Sequence, residues 1–231
     1  MNLSCLLCYQ ASPSPVCQWC EHDIFFFDNR VHNQNLLAFG PVGRHMRHAH
    51  IDSLTVLGLH TWPMSRLVHQ FKFQHSLTAG KVLSTWFVDK KQHHKAAPPK
   101  LLIPIPITSK RIASRHYNQA AVLAKAIGNA WHICCDYRWA VRKGSTTQHH
   151  LSKTDRVSNA KAVFALSKHC LDSYIETWGE RISVAIVDDV VTTGVTVDVL
   201  AALLKARYPS IVVEVWAMTF TPPPKSSLFN E

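Results

Sequence analysis

One stretch constrains the fold of this chain more than any other: Val184, Ala185, Ile186, Val187, Asp188, Asp189, Val190, Val191, Thr192, Thr193, Gly194, Val195, Thr196. A continuous apolar run rich in β-branched residues is what a strand buried on both faces needs, as in the parallel sheets of α/β proteins. This run ends in two adjacent carboxylates and turns through Thr-Thr-Gly. It then enters a helix in which Val195, Val199, Ala202, Leu203 and Ala206 recur at helical spacing. Open α/β sheets bind ligands at the carboxyl ends of their strands. A glycine beside a helix N-terminus lets backbone N–H groups close around a phosphate, and the helix dipole favours the anion. Thr192, Thr193 and Thr196 add hydroxyl donors. Asp188 and Asp189, as ionised carboxylates, can each accept a hydroxyl of a vicinal diol. Acids beside a phosphate cradle would repel a bare phosphate. They suit a ligand with a diol at one end and a 5-phosphate at the other. The competing reading is a strand–turn–helix with acidic residues near the helix start and no ligand.

The rest of the chain supplies strands and helices in alternation. Residues 54–59 read as a strand, and 63–73 as a helix with Pro63 in its first turn. Residues 77–88 form a second helix, with Leu77, Leu83, Trp86 and Phe87 inward. Residues 93–100 are polar, contain Pro98 and Pro99, and read as a linker. Then come a short buried strand at 101–105 and a helix carrying Ala120, Leu123, Ala124 and Ile127, ended by Gly128. Strands are expected at 131–134, 162–166, 182–187 and 211–217, and a short helix near Ser152. Strand–helix alternation implies a parallel sheet with right-handed crossovers. Trp216 and Phe220 read as core residues, the alternative being a stacking platform for a base.

The cysteines add a separate feature. Cys5 and Cys8 form one C-x-x-C pair and Cys17 and Cys20 another, with eight residues between the pairs, Ala-Ser-Pro-Ser-Pro among them as turn material. Two such knuckles can close a tetrahedral thiolate site for structural Zn²⁺. Fewer than thirty residues build no core, so metal would supply the folding energy. The alternative is a pair of redox dithiols. Cys134, Cys135 and Cys170 read as ordinary reduced thiols. The histidine clusters (His45, His48 and His50; His93 and His94; His149 and His150) lack acids or cysteines at ligand spacing and read as solvated surface.

Composition sets the outer bounds. With 47% hydrophobic and 17% charged residues in 231, global disorder is excluded. No apolar run approaches the roughly 18 residues of a membrane span, so stable membrane insertion is not expected. The first residues lack a basic region and a long apolar core, so the cytoplasm is the expected location. The formal net charge is +10, unevenly spread: residues 100–160 carry ten basic and two acidic side chains, whereas 161–231 carry six and eight. Such a field favours a phosphate-rich partner, nucleic acid or a polyphosphate metabolite, over a merely solubilising role.

The segment around Asp188 resembles the phosphoribosyl pyrophosphate (PRPP) signature of type I phosphoribosyltransferases. Other motifs narrow the family: the two C-x-x-C pairs; Phe71-Lys72-Phe73; Ile103-Pro104-Ile105-Pro106 running into Thr108-Ser109-Lys110-Arg111; Arg115-His116-Tyr117-Asn118-Gln119; and Arg142, Gln148 and Arg156. Together they resemble the ComF family of competence and DNA-utilisation proteins, with His116 standing where that family usually has glycine. The resemblance implies a type I phosphoribosyltransferase-like parallel sheet flanked by helices, preceded by a small four-cysteine zinc-binding module. The expected division is 1–50 zinc module and irregular segment, 51–99 helical hood and linker, 100–221 phosphoribosyltransferase-like domain and 222–231 tail. Asp188 and Asp189 would be the catalytic pair holding the ribose hydroxyls, with Mg²⁺ bridging diol and pyrophosphate. Thr192, Thr193, Gly194 and Thr196 would cradle the 5-phosphate, and Ser109, Lys110 and Arg111, in the loop leaving the first core strand, the pyrophosphate. Arg142, Gln148 and Arg156 would belong to a mobile flap. Two functions follow as expectations: phosphoribosyl transfer to an acceptor, or single-stranded-DNA binding with PRPP as a regulatory ligand.

Overall fold

The computed structural model describes residues 3–28, 35–91, 98–143 and 163–222. The first elements are β1 (Leu3–Ser4), β2 (Ala11–Ser12), α1 (Gln18–His22), α2 (Gly40–Gly43) and β3 (Ser53–Leu59). Two helices follow, α3 (Met64–Phe73) and α4 (Leu77–Lys91), then β4 (Leu101–Pro104), α5 (Ser109–Arg115) and α6 (Gln119–Trp131). The second half holds β5 (Cys134–Cys135), β6 (Ala140–Arg142), β7 (Phe164–Leu166), α7 (Asp172–Trp178), β8 (Ser183–Val191), α8 (Val195–Arg207) and β9 (Val212–Phe220). The core is a five-stranded sheet in the order β3-β9-β8-β4-β5, every neighbouring pair parallel. No helix of the described residues is long and apolar enough to cross a membrane.

Both faces of the sheet are covered, which is why its strands read as unbroken apolar runs. Along β8, Val184 and Ile186 pack into one apolar cluster with Leu200 and Leu204 of α8. Ala185 and Val187 face the other way, toward Leu67 and Phe71 of α3, Leu83 and Phe87 of α4, and Leu123 and Ile127 of α6. In β9, Val213, Val215 and Ala217 alternate with Trp216 and Met218 across the same two clusters. Trp216 and Phe220 are buried, as core residues.

Several local expectations need correction. Gly128 does not end its helix, since α6 continues to Trp131. A Cβ there would lie 2.6 Å from Cys135 Sγ and 2.8 Å from the Ile133 carbonyl oxygen, so the glycine serves close approach of helix to strand. Leu77 stands at the exposed first turn of α4 and does not face inward. Residues 164–166 form no parallel core strand: β7 pairs antiparallel with β6 as a separate two-stranded ribbon. Trp139, just before β6, is buried and donates from Nε1 to the Pro104 carbonyl at 2.9 Å, tying the ribbon to the end of β4. Ser109, Lys110 and Arg111 are not in a loop but form the first turn of α5, where Thr108 Oγ1 accepts the Arg111 N–H. The helix expected near Ser152, with Gln148 and Arg156, lies outside the described residues.

Candidate functional site

Sheet order fixes where a ligand can sit. From β8 the chain passes through α8 on one face to β9, and from β4 through α6 on the other face to β5. Adjacent strands whose helices leave to opposite faces open a crevice at their carboxyl ends, the general ligand position of open α/β sheets. Pairing between β4 and β8 stops at Pro104 and Val187, while β8 continues beside β9 to Val191. Asp188 and Asp189 therefore stand where β8 outruns β4.

The two acids differ in surroundings. Asp189 is buried, and its Oδ1 lies 2.9 Å from Lys72 Nζ. Asp188 Oδ1 accepts the Asp189 N–H at 2.8 Å. Burial, and then the adjacent Asp189 charge, raise the Asp188 pKa well above the carboxylate range, against the backbone N–H and Lys72. Nearby, His60 meets Thr219 Oγ1 through Nδ1 at 2.9 Å. Burial, then Lys72, lowers its pKa and favours the neutral imidazole.

Beyond β8, Thr192 and Thr193 are exposed, Gly194 is buried and Thr196 is half-buried in the first turn of α8. Gly194 has φ +73°, and a Cβ there would meet the Arg47 carbonyl oxygen at 2.5 Å. That contact belongs to a brace from the N-terminal region. The Arg47 N–H donates to the Thr193 carbonyl at 2.8 Å, and Arg47 Nε reaches Asp198 Oδ2 at 3.2 Å. The His50 N–H donates to Asp198 Oδ1 at 2.8 Å. Asp198 is only 2% exposed, so the turn is held from beneath by a buried acid on α8.

Ser109, Lys110 and Arg111 are exposed at the carboxyl end of β4, across the crevice. Arg142, half-buried at the end of β6, stacks on Phe164 with 5.2 Å from guanidinium to ring centre. Burial, then the like charge of Arg111, lowers its pKa, and Asp188 offsets part of this. Arg142, Arg111 and Asp188 thus share one electrostatic neighbourhood.

Within Arg115-His116-Tyr117-Asn118-Gln119, the three central residues are structural. Tyr117 OH donates to the Phe71 carbonyl at 2.6 Å, tying the segment to α3. Asn118 caps α6 by accepting the Ala120 N–H at 3.1 Å and donates to the Ile105 carbonyl at 2.9 Å. His116 ends α5 with φ +64°, the left-handed conformation in which glycine costs least.

Sequence reasoning marks Lys72 only within Phe71-Lys72-Phe73 and assigns it no role. It also misses a cleft of about 650 Å³ whose walls include Arg66, His69, Lys72, Phe73, Arg115 and Thr192. These residues come from three separate segments, so only a basic residue between two aromatics on a helix could have flagged one of them.

The cysteine module packs against α3, where Gln70 Nε2 donates to the Leu6 carbonyl. The four Sγ atoms of Cys5, Cys8, Cys17 and Cys20 lie within 4.8 Å of one another, with Cys8 and Cys17 at 3.7 Å. Tetrahedral zinc with Zn–S of about 2.3 Å sets sulfurs about 3.8 Å apart, so the cluster is of a size to hold such a metal. Cys5 Sγ accepts the N–H groups of Leu7 and Cys17, each at 3.4 Å. Burial raises the Cys5 pKa, but backbone donors outweigh it and bring the thiol to about 6. Burial and the surrounding sulfurs push Cys20 the opposite way. Among the described residues the histidines join no comparable cluster.

A strand ending in paired acids, a Thr-Thr-Gly turn and a helix, at a sheet switch point, is the arrangement expected of a phosphoribosyltransferase-like protein. Competence protein F from Haemophilus influenzae is 32% identical over 173 residues, covering 72% of each chain. DNA utilization protein YhgH from Salmonella typhi is 31% identical over 167 residues, 70% of this chain and 69% of that one. The YhgH of Escherichia coli K12 is 31% identical over 164 residues, 69% and 68% of the two chains. The chain belongs to this ComF family of competence and DNA-utilisation proteins. No family model matches it. Among solved structures, adenine phosphoribosyl transferase from Trypanosoma brucei, in complex with AMP, pyrophosphate and ribose-5-phosphate, matches 66% of this chain and 68% of that one. The TM-score is 0.38 and the identity 10%, too distant for residue correspondences.

Proposed function

We propose that this protein binds PRPP in the crevice between β4 and β8, and acts in DNA uptake or utilisation as its relatives' names describe. The observation that carries the reading is the acid pair followed by the left-handed Gly194 turn at the head of α8, braced by Arg47 and Asp198. Asp188 and Asp189 hold the ribose diol, the Thr192–Thr193–Gly194 turn with Thr196 takes the 5-phosphate, and Ser109, Lys110 and Arg111 face the pyrophosphate. Carboxylate and phosphate oxygens are the donor set Mg²⁺ prefers, and the ion would neutralise charge shared between diol and pyrophosphate. In phosphoribosyl transfer the C1–O bond to pyrophosphate breaks, and its electron pair leaves on the pyrophosphate oxygen. A lone pair of the acceptor then forms the new bond to C1. The protein's contribution is positioning and charge stabilisation of the cationic sugar.

A second reading, a single-stranded-DNA-binding protein in which PRPP regulates and is not turned over, is favoured by the exposed Lys110, Arg111 and Lys143 around the same crevice. Calorimetric titration with Mg²⁺–PRPP tests the shared premise. Replacing both Asp188 and Asp189 by Asn is expected to weaken binding by about 2–4 kcal/mol, the scale of lost charge-assisted hydrogen bonds. Unchanged affinity in a folded double variant would remove it. PRPP-dependent release of pyrophosphate then separates transfer from regulation.

A further inference from the structure

Helix α3 presents two i, i+3, i+7 stripes to the cleft: Ser65, Val68 and Lys72, and beside them Arg66, His69 and Phe73. Arg115, from the end of α5, stacks on Phe73 with its guanidinium carbon 5.1 Å from the ring centre. Arg66 also lies over Tyr9 of the cysteine module, which does not line the cleft, with 5.2 Å to the ring centre, and donates to its hydroxyl. Phe73 is 55% exposed, so its ring keeps open surface in the cleft. Among the described residues no carboxylate lines the cleft. Lys72 is matched by Asp189, but neither Arg66 nor Arg115 has a carboxylate partner among the described residues. Arg66 Nε is buried without a hydrogen bond among them. Thr192 lines the cleft and begins the phosphate turn, and Lys72 touches the acid pair. The cleft therefore opens directly onto the crevice at the end of β8.

We propose that this cleft is the acceptor site, and that it takes a flat nitrogen heterocycle bearing an anionic group, carboxylate or phosphate. Two guanidinium groups without counter-charges call for an anion that can accept paired N–H donors. The exposed face of Phe73, already stacked by Arg115, suits a planar ring. The volume lies within the roughly 300–1,000 Å³ of small-molecule sites. That the ligand is an acceptor rests on the PRPP reading; that the cleft selects anionic heterocycles does not. In transfer, the ring nitrogen's lone pair would form the C1–N bond as the C1–O bond to pyrophosphate breaks, and any ring N–H proton passes to water.

Matched probes isolate the charge: nicotinate against nicotinamide, and orotate against uracil, each as the free base so that no second anion confuses the pair. Ligand-observed NMR on the full chain without PRPP is expected to show at least one carboxylate binding tenfold or more tighter than its neutral partner, equivalent to about 1.4 kcal/mol. Arg66→Gln and Arg115→Gln should each cost that preference fivefold or more, with PRPP affinity within twofold of wild type. Should Arg66→Gln fail to fold, Arg115→Gln decides. Equal binding of charged and neutral probes, no binding of either, or a preference surviving in Arg115→Gln overturns the proposal. If the probes discriminate but wild type does not bind PRPP, the cleft stands and the PRPP reading falls. Carboxylate-stimulated pyrophosphate release with PRPP would establish the acceptor role, and its absence despite selective binding would overturn that role.

Discussion

Asp188 carries a penalty that a residue chosen for stability would not. Its folded pKa is raised well above 3.8 by burial and by Asp189, so the ionised form is disfavoured in the folded chain relative to the unfolded one. Stability associated with this group is complete below the unfolded value and is lost as pH rises through the raised folded value. Asp188→Asn keeps a carbonyl oxygen to accept the Asp189 N–H and removes the charge. The expected outcome is a higher Tm at pH 7, each kcal/mol relieved giving about 2–4 °C in a chain of this size. The gain should shrink as pH falls toward 4, while PRPP affinity drops. Thermal melts of both proteins across pH 4–8 check the sign; a lower Tm at neutral pH would contradict the assignment of strain to this acid. His116 shows the same logic in backbone form. Its φ of +64° costs a side chain that glycine would not incur. His116→Gly is expected to be stabilising by about 0.5–1 kcal/mol, read from a urea midpoint at unchanged slope.

Single elements show what the sequence made legible and what it hid. The β8–turn–α8 unit was readable residue by residue, because burial on both faces writes an unbroken apolar run and the turn demands its glycine. Gly194→Ala would set a methyl 2.5 Å from the Arg47 carbonyl at a positive φ, a clash with backbone that no rotamer relieves. It should lower Tm and weaken PRPP binding together, whereas Thr192→Ala, exposed, should do only the latter. The cysteine module was equally legible, since thiolate spacing alone specifies a ligand set. Its coupling to α3 was not: Gln70 Nε2 donates to the Leu6 carbonyl at 2.8 Å, and Tyr9 meets Arg66 on the same helix. No local pattern announces contacts between segments that lie so far apart in the chain. The same holds for Lys72 on Asp189, and for the β6–β7 ribbon, whose three-residue strands carry too short a pattern to fix a partner. Reduced protein is expected to hold about one zinc per chain. Cys17→Ser should lower that content and raise hydrogen exchange in α3 as well as in residues 3–22, while β8 and β9 stay protected. Loss confined to the module would show that α3 stands without it.

At the scale of the whole molecule, charge decides how two polyanionic ligands relate. The chain carries net +10, and ten of its basic residues fall within 100–160. The structure draws part of that segment to the crevice: Arg111 and Asp188 both act on Arg142, and Lys143 stands exposed beside it. If single-stranded DNA is gripped by this surface, log affinity falls against log salt with a slope of about −0.7 per phosphate neutralised. Neutralising Arg142 and Lys143 together, as Arg142→Gln with Lys143→Gln, should flatten the slope by about one to two units. Bare affinity is the poorer measure, because a protein this basic attracts any polyanion, whereas the change in slope reports how many phosphates are no longer neutralised. Since the Asp188 charge also acts on Arg142, the same double variant should bind Mg²⁺–PRPP more weakly, and saturating PRPP should reduce DNA affinity of the wild type. Both effects together place the two ligands on one surface, competing for the same cations. A flattened slope with unchanged PRPP binding would separate the surfaces, and an unchanged slope would mean that DNA is held by basic residues elsewhere on the chain.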